Sequence, residues 1–325
     1  MIRKILWLAA IGLMALSLVM AACGPAATPT TPTAPTTPTT PTTPTAPTTP
    51  TTPVEEKVQK EAIAPAAEVP QYGGTLNVAV TTNPSPKGFW TYEKYLFSDW
   101  TRGPAGSNQY DPMAGASGFE DNAMPGPAES WSMPTPGVWV LNIRQGMHWA
   151  QTPFPASQVM NGREVTAADV VWSFNWELGS PKSWIWTSQP VIAKASSINQ
   201  TGPWQVTMRT PIDYLTSYVW LIGAGGGYAY LAPREVTEKY NHQMIYQGEG
   251  WPYQEVVSTG PYIFTEVVAS SYTKQIRNTN YWMKDPVGPG KGNQLPYIDA
   301  IVTLTIPDRS TSLAALRTGK IDYLG

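Results

Sequence analysis

The residues able to do chemistry in this chain are few, and their spacing suits none of the common catalytic centres. The two histidines, His148 and His242, lie far apart and form no helical metal-binding pair. The single cysteine, Cys23, excludes an internal disulfide and a cysteine-based metal cluster. Gly115-Ala116-Ser117-Gly118 runs into Phe119, so it is not a nucleophile elbow. The glycine-rich stretch Gly223 to Gly227 lacks the Lys-Ser/Thr of a phosphate loop and the spacing of a dinucleotide fingerprint. Close backbone approach explains its glycines better. Carboxylates are plentiful, and a glycosidase-type pair such as Glu129 with Asp169 stays open at this level. No cofactor or metal is implied. A net charge of −2, with 14% charged residues, gives no electrostatic footprint for nucleic acid.

Cys23 has an informative setting. Arg3 and Lys4 precede the apolar run Ile5 to Val19, and Met20-Ala21-Ala22 places small residues just before the thiol. This looks like a bacterial lipoprotein signal, in which Cys23 carries lipid and becomes the mature N-terminus. Met20 stands where such signals usually have leucine. An uncleaved transmembrane anchor is the alternative, and either arrangement holds the protein at the outer face of the cytoplasmic membrane. Residues 28–53 contain only Thr, Pro and Ala. Such a tract cannot bury a core and is biased to polyproline II. It reads as a stalk, open to O-glycosylation, or as a plain spacer with the same mechanical result. The expected division is a signal at 1–23, a linker at 24–70 and a folded portion at 71–325.

The folded portion opens after Gly73-Gly74 with a strand in which Leu76, Val78 and Val80 share a face. An aromatic stretch from Trp90 to Trp100 follows. Gly103 to Pro136 reads as loop, and Val138 to Ile143 as a strand. In Asn161-Gly162-Arg163-Glu164-Val165-Thr166-Ala167-Ala168-Asp169-Val170, Thr166 and Asp169 form a capping box. The helix that follows aligns Val170, Phe174 and Leu178 on one face. Residues 150–160 read as an added surface loop. A strand pair is expected around Ile198 and Val206-Thr207-Met208, and a helix from Pro233. The last third predicts a hairpin of Tyr262–Val268 with Tyr272–Arg277, and a half-buried strand alternating Val302, Leu304 and Ile306 with Thr303 and Thr305. A helix capped by Asp308 or Ser310 and ended by Gly319 comes next, then a strand from Ile321.

Taken together, Ser258-Thr259-Gly260-Pro261-Tyr262, Arg277-Asn278, Tyr281-Trp282, Leu295-Pro296-Tyr297-Ile298-Asp299 and Thr318-Gly319-Lys320-Ile321-Asp322 come in a specific order and spacing. Single fragments of this kind occur by chance, but the order does not. The chain resembles the extracytoplasmic solute-binding proteins of peptide- and nickel-type ABC transporters, family 5. Glu129-Ser130-Trp131, Arg144 to Trp149 and the capping-box segment match other parts of that family's pattern.

The resemblance implies an α/β fold of the periplasmic-binding-protein type (type II, cluster C), with mixed sheets. Residues 71–102 and 211–325 would form the first lobe, and 103–210 an inserted subdomain. In the family the Gly-x-Ile-Asp strand runs into a hinge, and a second lobe would follow Gly325. The sequence therefore looks like the N-terminal half of a longer protein, and residues 1–325 are expected not to bind solute tightly alone. The implied role is capture of a peptide or other small solute outside the cell and delivery to ABC permease subunits, without catalysis. Candidate ligand-facing residues on this lobe are Trp90, Tyr92, Tyr214, Trp220 and Tyr228. The rival reading is a carbohydrate-binding or glycoside-hydrolase module on a Thr-Pro stalk, since the aromatic content would suit sugar stacking. The Gly-x-Ile-Asp ending favours the first.

Overall fold

Two main sheets organise the chain in the computed structural model, which describes residues 69–82, 92–103, 123–213, 217–223, 229–243 and 251–325. In the first sheet β1 (Thr75–Val80) stands second from one edge. It lies parallel to β10 (Ala300–Thr305) on one side and to the short β11 (Tyr323–Leu324) on the other. The hairpin β8 (Tyr262–Val268) and β9 (Tyr272–Arg277) completes the order β11-β1-β10-β9-β8. Its tip is Ala269-Ser270-Ser271, as the pattern predicts, with Ser270 in the left-handed region at φ 58°.

Register decides which side of β10 is inside. Leu76 pairs with Ile301 and Val78 with Thr303, so the apolar face of β1 continues onto Ile301, Thr303 and Thr305. Ile301 and Thr303 are buried, while Val302 and Leu304 are only half-buried. The sequence pattern put the apolar residues inward. The strand's own alternation is overridden because β1 and Tyr262 supply the hydrophobic packing on the other face. The following helix, α7 (Arg309–Arg317), is capped by Asp308, whose carboxylate accepts from the Thr311 N–H at 2.8 Å. Gly319, at φ 67°, ends it as expected. Pairing in β11 begins two residues later than predicted. Ile321 is buried, and Asp322 is held by the Asn77 N–H on its Oδ2 at 2.7 Å.

The second sheet is antiparallel, in the order β4-β5-β7-β6, from β4 (Ala128–Thr135), β5 (Val138–Ile143), β6 (Ser197–Gly202) and β7 (Gln205–Arg209). A small pair of β2 (Leu96–Ser98) and β3 (Ala123–Pro125) stands apart. β3 and β4 fall in the stretch read as loop. β4 is an edge strand, wet along most of its length, so it has no alternation to detect. Residues 150–160 are a second correction. They hold α1 (Pro155–Met160), with Ala156, Ser157 and Met160 buried, rather than a surface loop. Pro155 presets the first turn, and the Ser157 hydroxyl donates to the Thr152 carbonyl at 2.9 Å.

α2 (Ala167–Gly179) packs on β6 and β7 and buries Val170, Phe174 and Leu178, the predicted face. Its start carries more than a cap. Asp169 accepts the Thr166 N–H at 2.8 Å and also holds Arg163 through two hydrogen bonds of 2.9 and 2.5 Å. Arg163 bridges onward to Glu235 in α6 (Arg234–Lys239) at 2.8 Å. The helices α3 (Trp184–Ser188), α4 (Pro190–Ala195) and α5 (Ser217–Ile222) add to the packing. One large core joins this sheet, α2 and Tyr95, whose ring stacks on Phe174 at 4.7 Å.

Candidate functional site

Parallel strands of open α/β sheets present their carboxyl ends to ligands. Here β1 and β10 end together: the Ile306 N–H donates to the Val80 carbonyl at 2.8 Å, and the Gly325 N–H to Ala79 at 2.9 Å. The chain leaves β1 at this end, and Trp90 and Tyr92 lie downstream. Trp90, Tyr214 and Tyr228, like Cys23, lie outside the described residues, and Trp220 is placed only as a residue of α5. Tyr92 is buried. It meets Trp251 edge-on, with ring centroids 6.1 Å apart, and packs with Val256 and Phe264. Burial raises its phenol pKa, and its hydroxyl has no hydrogen-bond partner among the described residues.

The residue beside it went unnoticed in the sequence. Glu93 is 5% exposed, and three groups from distant segments converge on it. The Thr259 hydroxyl donates at 2.6 Å, and the Trp282 indole N–H spans both carboxylate oxygens at 3.0 and 3.1 Å. Tyr281 is a further neighbour, its own hydroxyl pKa pushed well up by burial and by Glu93. Burial raises the Glu93 pKa to about 7, against the opposing pull of these donors and of Arg144. The only sequence signal was a carboxylate flanked by aromatic residues, Tyr92 and Tyr95.

A stability prediction follows. Because the folded pKa lies above the unfolded value, the contribution is complete below about pH 4.5 and is lost as pH rises through about 7. The loss across that window should be about 3 kcal/mol. Chemical denaturation at a series of pH values checks this, and Glu93→Gln should flatten the profile between those limits. An equally steep profile in the variant would assign the slope to another group.

Both histidines are engaged structurally. The His242 ring stacks on Trp251 at 4.4 Å, and its Nε2 lies 2.7 Å from Glu255; His148 Nδ1 lies 2.9 Å from the Gly162 carbonyl. Trp251 continues to Trp176 and Trp172, so several tryptophans form one ladder. Among the described residues no group of three or more His, Cys, Asp or Glu could hold a metal ion. No helix among them is long and apolar enough to cross a membrane.

Residues 122–325 match the family model described as bacterial extracellular solute-binding proteins, family 5, middle. This chain belongs to that family. The family 5 assignment agrees with curated and structural relatives. Di/tripeptide-binding protein 2 of Pseudomonas aeruginosa (strain UCBPP-PA14) is 23% identical over 239 residues, covering 69% of this chain and 42% of that protein. The periplasmic binding protein DppA of Helicobacter pylori, solved with the peptide STSA, superposes with a TM-score of 0.55 at 19% identity, covering 77% of this chain and 46% of that one. The oligopeptide-binding protein AppA of Bacillus subtilis, solved with a nonapeptide, gives 0.53 at 18% identity, with 78% and 44% covered. The chain spans less than half the length of each. At these identities the superpositions establish the fold, an α/β lobe of the periplasmic-binding-protein type with mixed sheets.

A groove of about 380 Å³ lined by Phe97, Trp100, Tyr262, Tyr281, Leu295 and Tyr297 lies at the amino ends of β8 and β10. It is thus at the opposite end of the sheet from the carboxyl ends of β1 and β10, and it shares Tyr281 with the surroundings of Glu93.

Proposed function

We propose that this chain forms one wall of a membrane-tethered substrate-binding component of an ABC importer, which captures a solute outside the cell and delivers it to the permease. A peptide is the solute class this reading favours. The observation that carries it is the family 5 match over residues 122–325, in a chain whose two sheets follow that fold. Peptide-binding relatives support the solute class. Residues 71–102 and 211–325 are assigned to the first lobe and 103–210 to an inserted subdomain. The ligand contacts are assigned to Trp90, Tyr92, Tyr214, Trp220 and Tyr228.

The test uses protein isolated from the cells that make it. A ligand at 100 times its dissociation constant stabilises a single-site protein by about 2.7 kcal/mol. A pool of short peptides containing such a ligand should therefore raise Tm by roughly 5–10 °C. The rise should shrink in Trp90→Ala and Trp220→Ala. A response to oligosaccharides and none to peptides would overturn the solute class, and an undiminished peptide response in both variants would remove those two residues.

The anchor is assigned to lipid on Cys23, supported by Arg3, Lys4, the apolar run and Ala21-Ala22. Expressed in a bacterium, the wild type should partition into the detergent phase, whereas Cys23→Ser should stay unprocessed at a different mass. Equal masses with equal partitioning would remove the lipid anchor.

A further inference from the structure

Arg144 follows β5 and is tied to the four-stranded sheet. Its backbone N–H donates to the Pro127 carbonyl at 2.9 Å, its Nε donates to Gly126 at 3.0 Å, and Glu129 lies 3.4 Å from its guanidinium. Trp282 and Thr259 lie in the segments that flank the hairpin of the other sheet, one after β9 and the other before β8. The Arg144 guanidinium carbon sits 4.5 Å from the centroid of the Trp282 ring. On that indole's edge, the N–H spans both oxygens of buried Glu93. The path from one sheet to the other is therefore cation, ring, carboxylate, hydroxyl. Each link is sensitive to the charge on Glu93.

We propose that Glu93, Trp282 and Arg144 form a proton-operated latch between the four-stranded and five-stranded sheets. With Glu93 ionised, both oxygens accept, and the carboxylate's field holds Arg144 over the indole; a ring polarised by a cation is in turn a better N–H donor. When a proton from solvent occupies one oxygen, that oxygen becomes a donor and the shared indole bond reduces to a single acceptor. Arg144 then loses the carboxylate's attraction and keeps Glu129, the Gly126 carbonyl and the face of the Trp282 ring. Arg144 and Tyr281 are the titratable groups that face the carboxylate. Tyr281 stays neutral through this range, because burial and Glu93 push its pKa well up. The carboxylate titrates near pH 7, so the latch operates around neutrality.

Nuclear magnetic resonance on the ¹⁵N-labelled full chain tests the latch directly. The Trp282 indole N–H resonance, assigned by its loss in Trp282→Phe, should shift between about pH 5.5 and 8.5 with one midpoint. The Arg144 Nε resonance should move with the same midpoint. In Glu93→Gln both should stay still. In Arg144→Gln the indole should still titrate, with the midpoint raised, because the nearby cation that favours the ionised form is gone. If Glu93→Gln fails to fold, the Arg144→Gln midpoint decides, and an unchanged midpoint overturns the proposal. So does a wild-type indole that does not move in this window, an Arg144 resonance without the shared midpoint, or a titration that persists in Glu93→Gln.

Discussion

Replacing Asp169 by alanine should destabilise the protein by about 2–4 kcal/mol, well beyond the loss of a helix cap. The cap accounts for about 1 kcal/mol. The remainder comes from the paired guanidinium: Asp169 is 5% exposed on its side chain, and Arg163 reaches it through two hydrogen bonds. Removing one partner of such a pair leaves the other charge partly desolvated. Arg163 is 34% exposed and retains Glu235, so the full cost of a buried orphan charge does not apply. Tm should fall by roughly 5–15 °C. Asp169→Asn, which can still accept the Thr166 N–H, should recover part of the loss. Arg163→Met in the Asp169→Ala background should add little, since the Asp169 pair is already gone and the remaining Arg163–Glu235 pair is well exposed. A loss near 1 kcal/mol, additive with Arg163→Met, would mean that the cap acts alone.

Phe174→Ala should cost about 3–5 kcal/mol, the range for truncating a buried aromatic ring. Phe174 is fully buried and stacks on Tyr95, which belongs to the same segment as Glu93. The truncation should therefore loosen the 92–98 segment as well as the core. Hydrogen exchange at Tyr95 and Leu96 should speed up more than global destabilisation predicts, while Phe174→Leu, which keeps most of the volume, should cost under about 1.5 kcal/mol. Equal costs for the two variants would show that the site collapses around either side chain.

Local signals were legible where they were self-contained. The capping box at Thr166 and Asp169, the Val170–Phe174–Leu178 face and the hairpin around Ser270 depend on residues within one or two turns of each other, and the structure has them as expected. The order of short motifs in the last third carried the family. What escaped depended on distant partners. β4 is an edge strand with little buried on either face, so periodicity had nothing to report. β10 was turned inside out by its pairing with β1. α1 is short, and its burial comes from packing against α6 and the turn at Tyr253–Glu255. Asp169 was legible as a cap, but not as the hub linking Arg163 to Glu235 in α6. Glu93 was invisible for the same reason. Its burial and its donors are set by Thr259 and Trp282, far along the chain. Of the predicted ligand-facing aromatics, Tyr92 is the one whose surroundings are described, and it is buried against Trp251.

The proposed function is tested by what the protein carries in the cells that make it. The most direct measurement is to isolate it gently from those cells, denature it, and identify the released small molecules by mass spectrometry. The account predicts peptides near one per protein molecule, absent from a control protein purified alongside. Release of oligosaccharides instead, with no peptide above the control, would contradict it.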